Sequence, residues 1–184
     1  PRYTYDVNVM GTVNICECVR NTDSVKSFVN VTTDKVYQNN EWEFPYRETD
    51  CLDGFDPYSN SKSCSELVTA TYVRSFFEGT DIAVSTCRAG NVIGGGDFSP
   101  FRILPDCYRD TVSGKGIAVR NPYSIRPYQH VLEAVTFYLL VAKMQWEDAS
   151  IAGSYNVGPE YSDCLKTSEV CTHFCDSWGE GAKW

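Results

Sequence analysis

Tyr58 and Lys62, in the stretch Pro57-Tyr58-Ser59-Asn60-Ser61-Lys62, stand four residues apart. On a helix that spacing brings a phenol and an ammonium to one face. An ammonium beside a phenol favours the phenolate, and a phenolate can act as a general base. Tyr and Lys at this spacing are also common as plain surface neighbours, so the pair alone decides little. A second set lies upstream, where Thr32-Thr33-Asp34-Lys35 closes a short β-rich run from Lys26 to Thr33. That run reads as a buried parallel strand whose C-terminal end delivers polar side chains, the edge at which open α/β sheets hold ligands. An acid and a base side by side there could move protons on either side of one bond; they could equally be a neutral pair in a solvated turn. A strand end followed in chain order by a Tyr/Lys helix is much rarer by chance than either set alone.

The rest of the chain has to position these side chains. Asp6 to Arg20 places Val9, Val13, Ile15, Cys16 and Val19 near helical spacing and reads as an amphipathic helix. Asn39 to Pro57 reads as a loop, and Pro57 opens a helix carried by Tyr58 to Phe77. A second strand is expected over Asp81 to Arg88, then a glycine-rich stretch from Gly90 to Pro100 containing Gly94-Gly95-Gly96. Beyond it the pattern predicts helices over Ile103 to Ser113, His130 to Gln145 and Ser168 to Trp178. Short strands are predicted over Ile117 to Arg120 and Gly153 to Gly158. Strands alternating with helices imply βαβ units, hence an α/β fold built on a mostly parallel sheet. The strict alternation loosens near Asn91, so the expected division is residues 1–90 and residues 91–184.

Composition narrows the function classes. The 184 residues carry 24 acidic and 16 basic side chains, a net charge of -8. Such a balance disfavours a broad nucleic-acid or anionic-membrane surface, which wants a basic footprint. With 42% hydrophobic and 22% charged residues the chain is ordinary for a globular fold. No apolar run approaches a membrane span, and PRYTYDVNVMG lacks the basic-then-apolar pattern of a signal peptide, so a cytoplasmic protein is expected. The nine cysteines, an odd number, fall mostly in apolar helix and strand patterns and read as reduced small hydrophobes. Cys171-Thr172-His173-Phe174-Cys175 would put both sulfurs on one helix face but His173 elsewhere, with no fourth ligand close in sequence. No metal is expected. Asn30-Val31-Thr32 fits a glycosylation triplet but lies within the strand-like run.

Asn8-Val9-Met10-Gly11-Thr12, Thr33-Asp34-Lys35-Val36-Tyr37 and Pro57-Tyr58-Ser59-Asn60-Ser61-Lys62 together resemble the extended short-chain dehydrogenase/reductase superfamily. TDKVYQNNEW, DPYSNSKSCSELV, RAGNVIGGGDF and IRPYQHVLE are similar to the CDP-glucose 4,6-dehydratases within it. Thr-Asp-Lys is the discriminating detail, since the dTDP-glucose dehydratases have Thr-Asp-Glu there. The resemblance runs from Tyr5 to Trp184. It implies a Rossmann-like sheet with a smaller α/β substrate-binding region, bound NAD, and a nucleotide-sugar substrate, CDP-glucose. It further implies that Tyr58, Lys62 and Thr33 serve C4 oxidation beside the cofactor. Lys35 and Asp34 would eliminate water across C5–C6, and Asn91, Arg102 and Arg126 would hold the nucleotide diphosphate. A homodimer or dimer of dimers, neither membrane nor nucleic-acid partners, and a place in deoxysugar biosynthesis follow from the same resemblance.

Departures are informative. Tyr128 stands where the family has Trp, and no strand–GxxGxxG–helix unit occurs in the chain. The chain is therefore expected to be the second part of the NAD-binding domain, residues 1–90, followed by part of a nucleotide-sugar-binding domain, residues 91–184. Two other readings stand beside the dehydratase: an NDP-sugar epimerase, or a binding subunit without catalysis. His130, at an expected helix start with no Asp or Cys partner nearby, reads as structural.

Overall fold

The computed structural model describes every residue from Pro1 to Trp184. Helix begins at once: α1 (Arg2–Tyr5), a wider π turn over Asp6–Met10 and α2 (Gly11–Arg20) run on without a break, starting ahead of the expected Asp6. Cys16 and Val19 are the buried side chains of α2. Asn21 stops it, its backbone N–H and its side-chain amide both donating to the Glu17 carbonyl.

β1 (Ser27–Thr33) comes next, and after the loop α3 (Pro57–Tyr72) passes into a π turn over Val73–Phe77. Asp56 caps α3 by accepting from the Tyr58 and Ser59 amides at 2.9 and 3.1 Å, and Pro57 supplies the pre-set first turn. The buried face of α3 is small and polar: Ser59, Ser61, Ser63, Ser65, Glu66 and Thr69. Its hydroxyls are matched by neighbours. Asn8 donates to Ser61 at 2.9 Å, Thr12 and Ser65 share a bond at 2.7 Å, and Asn30 donates to Thr69 at 2.8 Å. Satisfied polar groups can be buried without large penalty, and small ones let backbones approach closely. Apolar packing sits at the other end of the helix, where Val19, Phe77 and Val84 gather with Phe28, Tyr72 and Ile82.

β2 (Ala83–Ala89) lies parallel to β1, in register from Ser27 opposite Ala83 to Thr33 opposite Ala89. All seven of its residues are buried, as a central strand covered on both faces requires. The chain continues through β3 (Asn91–Ile93), α4 (Ile103–Val112), β4 (Ile125–Arg126), β5 (Tyr128–His130) and α5 (Val131–Glu147). β6 (Ser154–Val157), β7 (Leu165–Lys166) and α6 (Thr167–Trp178) complete it. β6 pairs in parallel with the free side of β2, giving the order β1-β2-β6.

Two compact units result: residues 1–90 with 134–157, and residues 91–133 with 158–184. The expected block 91–184 is therefore interrupted. Residues 134–157 belong with the sheet because β6 completes it and because Gln145 of α5 is fully buried against it. The Gln145 amide donates to Ser27 Oγ, the Phe28 carbonyl and the Ala83 carbonyl at 2.8, 3.1 and 3.2 Å, and accepts from Ser85 Oγ at 2.5 Å. In the second unit β3 runs parallel to β5 and β4 antiparallel to β7. Its apolar cluster joins Cys107 of α4 and Cys171 of α6 with Ile117.

Two further expectations change. Residues 117–120 form no strand: Ile117 is buried, but its amide bonds only to the Lys183 carbonyl, at 2.9 Å, and no ladder follows. His130 ends β5 instead of opening the helix, and its Nδ1 accepts from the Leu132 amide at 3.2 Å in the first turn of α5. Cys16, Cys87, Cys107 and Cys171 are fully buried, and burial pushes the Cys87 and Cys107 thiols up to about 11 and about 12. No helix is long and apolar enough to cross a membrane.

Candidate functional site

The C-terminal end of β1 and the first turns of α3 bring the first unit's chemistry together. Thr33, buried, is the last residue of β1; its hydroxyl donates to Asp34 Oδ1 at 3.1 Å and accepts from the Lys35 amide at 3.4 Å. That cap starts a single 3-10 turn over Asp34–Val36, which leaves Asp34 half-buried and Lys35 exposed just past the sheet edge. A strand that ran on would have turned one of these two side chains back under the sheet, since successive residues face opposite sides.

Ser63 ties this turn to α3. Its hydroxyl donates to the Val36 carbonyl at 2.7 Å and accepts from the Gly54 amide at 3.0 Å, so turn, loop and helix meet at one side chain. Tyr58 and Lys62 lie on α3 one turn apart, as the spacing requires. Tyr58 is 45% exposed. Lys62 is half-buried, and its ammonium donates to the Val31 carbonyl of β1 at 3.4 Å, leaving two further donors.

Electrostatics agree with this placement. Burial lowers the Lys62 ammonium from its ordinary value, and the Glu66 carboxylate opposes that shift. Asp56 is held below the usual carboxylate range, first by the Ser59 hydroxyl that donates to it at 2.6 Å and in smaller part by the Lys35 ammonium. Thr33, Asp34, Lys35, Tyr58 and Lys62 thus share one end of the sheet.

The other three expected residues lie in the second unit. Asn91 opens β3, opposite Tyr128, and its amide donates to the Pro127 carbonyl at 3.1 Å, beside Arg126 of β4. Arg102 precedes α4, largely exposed, and pairs with Asp97 at 3.7 Å. Within the glycine stretch, a side chain at Gly94 would meet Val131 Cγ1 at 2.7 Å, and Gly96 has φ of +81°. Both positions demand glycine on local grounds.

Sequence reading missed one part of the first unit. Glu66, one turn past Lys62, makes a buried ion pair with Arg88 of β2, and Tyr37 binds the same guanidinium. The signal was available: an arginine at the end of an apolar strand has to be paired if it is buried.

Residues 1–158 match the NAD dependent epimerase/dehydratase family. The chain is 42% identical to the CDP-glucose 4,6-dehydratase of Salmonella typhimurium over its whole length, and covers 53% of that protein. It is 25% identical to the dTDP-D-glucose 4,6-dehydratase of Dictyostelium discoideum, with 84% of the chain matched to 36% of that protein. The chain spans about half the length, or less, of these curated relatives. Among solved structures, UDP-glucuronic acid 4-epimerase from Bacillus cereus superimposes with a TM-score of 0.80 at 16% identity, over 96% of the chain and 52% of that structure. The dTDP-glucose 4,6-dehydratase of Streptomyces venezuelae gives 0.76 at 23% identity, over 98% and 52%. The structural likenesses establish the Rossmann-like fold.

Proposed function

The chain belongs to the NAD dependent epimerase/dehydratase family, and from that premise we propose that the protein dehydrates CDP-D-glucose to CDP-4-dehydro-6-deoxy-D-glucose with bound NAD. One observation carries the reading: the proton-handling pair Tyr58/Lys62 and the acid/base pair Asp34/Lys35 occupy the same end of the sheet. An epimerase has work for the first pair and none for the second. The 42% identity to a CDP-glucose 4,6-dehydratase supports the choice of substrate.

The donor set suits the nicotinamide end of a dinucleotide. Lys62 keeps two N–H donors after its bond to Val31, and Thr33 and Tyr58 offer hydroxyls beside it. When bound, NAD would supply the hydride acceptor for C4 oxidation and the hydride donor for C6. Tyr58, as phenolate, removes the 4-hydroxyl proton, and the Lys62 ammonium stabilises the phenolate. Thr33 hydrogen-bonds the 4-oxygen. The 4-ketone then acidifies C5: Lys35 takes the C5 proton while Asp34 delivers one to the 6-hydroxyl, which leaves as water. Lys35 returns its proton to C5 as hydride arrives at C6. The proton on Tyr58 replaces the one Asp34 gave up, through solvent, so the net change is loss of one water. Arg126 and Arg102 suit bidentate contacts to the diphosphate, and Asn91 would complete that grip. A cytoplasmic homodimer or dimer of dimers supplying deoxysugar biosynthesis completes the proposal.

The test is incubation of the full-length protein with CDP-glucose and NAD, followed by the ultraviolet absorbance of the 4-keto product in base. Product from CDP-glucose is expected. Product from dTDP-glucose alone would move the base specificity, and C4 inversion with the 6-oxygen retained would replace dehydratase by epimerase.

A further inference from the structure

Arg88 lies in a strand with no exposed residue, and its side chain is 3% exposed. A guanidinium at that depth must satisfy its donors within the protein. Nε and Nη2 form a fork on the Glu66 carboxylate at 3.0 and 2.9 Å. Nη1 donates to the Tyr37 phenol oxygen at 2.8 Å and to the Glu48 carbonyl at 2.9 Å. The partners are themselves held. The Thr32 hydroxyl donates to Glu66, the Tyr37 hydroxyl donates to Asn156 Oδ1 of β6 at 2.6 Å, and the Tyr37 ring stacks on Tyr46.

These bonds end on both halves of the site. Glu66 is the residue one turn beyond Lys62 on α3, and Tyr37 follows directly on the 3-10 turn that presents Asp34 and Lys35. A buried Arg–Glu pair adds little stability over well-packed apolar side chains, so stability is a weak reason for its presence. What the planar fork does supply is fixed relative geometry between its partners. We propose that Arg88 is a positioning residue, holding the Lys62-bearing helix and the Asp34/Lys35 turn in register through Glu66 on one side and Tyr37 on the other. Its kinetic consequence rests on the dehydratase reading; its geometry does not. The Glu66 carboxylate also opposes the burial that lowers Lys62, so the same link bears on the charge of that ammonium.

The experiment uses three conservative variants of the NAD-loaded protein. Tyr37→Phe keeps the ring and its stacking and removes only the hydroxyl. With CDP-glucose it is expected to slow elimination about tenfold, the scale of one lost bond to a charged group, and to leave C4 oxidation near the native rate, so reduced nicotinamide accumulates. Glu66→Gln is expected to slow C4 oxidation by a similar factor, about tenfold. A merely structural role would lower both steps together with the folded fraction. Arg88→Lys, which keeps the charge and loses the fork, is expected to speed amide hydrogen exchange over residues 34–37 and over the first turns of α3, with β2 unchanged. An unaltered ratio of the two steps in Tyr37→Phe, or unaltered exchange in both segments in Arg88→Lys, overturns the proposal. Native protein that forms no 4-keto product rejects the dehydratase reading instead, and the exchange result then decides the positioning role by itself.

Discussion

Lys35 and Tyr58 are exposed while Lys62 is half-buried, and the two sets make separable demands on the proposed reaction. Oxidation at C4 needs a phenolate held by an ammonium; elimination needs a base that can reach C5. Lys35→Met removes the second and leaves the first. The expected outcome is reduced nicotinamide in a single turnover with 4-keto-6-deoxy product falling at least about a hundredfold, the usual worth of a positioned acid–base group. Retained turnover would refute the role of Lys35. That Tyr58 and Lys62 sit one turn apart on one helix was legible from spacing alone, because helical geometry converts four residues into one face. The link from Lys62 through Glu66 to Arg88 was not, because it joins residues far apart in the chain.

α3 is the element on which the site depends, and its start is built from local signals. Asp56 accepts from two backbone amides and from the Ser59 hydroxyl. Asp56→Ala should cost about 1 kcal/mol of stability, the value of an N-cap, in equilibrium denaturation. The pH dependence has a definite sign. The folded-state value of Asp56 lies below its unfolded value, so its contribution is complete above the ordinary carboxylate range and fades as pH falls through the folded value. In Asp56→Ala that acid-dependent part should vanish. Gly54 controls the same corner by close approach: a β-carbon there would crowd the Ser59 carbonyl and meet the Asn60 nitrogen at 2.7 Å, both backbone. Gly54→Ala should destabilise by about 1–3 kcal/mol, as overpacking does, visible as a lowered thermal midpoint. The start at Pro57 was readable in the sequence; the cap by Asp56 came with the structure. The serine-rich buried face was not, because apolar periodicity is the signal that marks a buried helix face and this face is polar.

At the scale of the molecule, one buried ion pair joins strand β2, helix α3 and the loop that carries Tyr37 and Glu48. Arg88→Met leaves the Glu66 carboxylate buried and alone, which should cost about 3–5 kcal/mol in denaturant unfolding. Adding Glu66→Leu removes the stranded charge, and the double variant should recover most of the loss. Equal destabilisation of the single and double variants would mean that the pair carries no such penalty. The recovery of stability without recovery of activity is the expected signature of a pair retained for position.

By itself the sequence determined the parallel α/β class, the strand ending in Thr33, the helix opened by Pro57 and the places of Asp34, Lys35, Tyr58 and Lys62 upon them. Each of these is a local pattern: periodicity, a proline at a helix start, a spacing of four. Tertiary structure alone decided that residues 134–157 belong with the sheet, since β6 pairs with β2 and Gln145 bonds to β1 and β2. It also turned the expected strand at residues 117–120 into a segment held at Ile117, because a strand needs a partner that no local pattern names. It supplied the pairing of Glu66 with Arg88 for the same physical reason: contacts between distant residues depend on how elements pack, and packing is not written in any single stretch of chain.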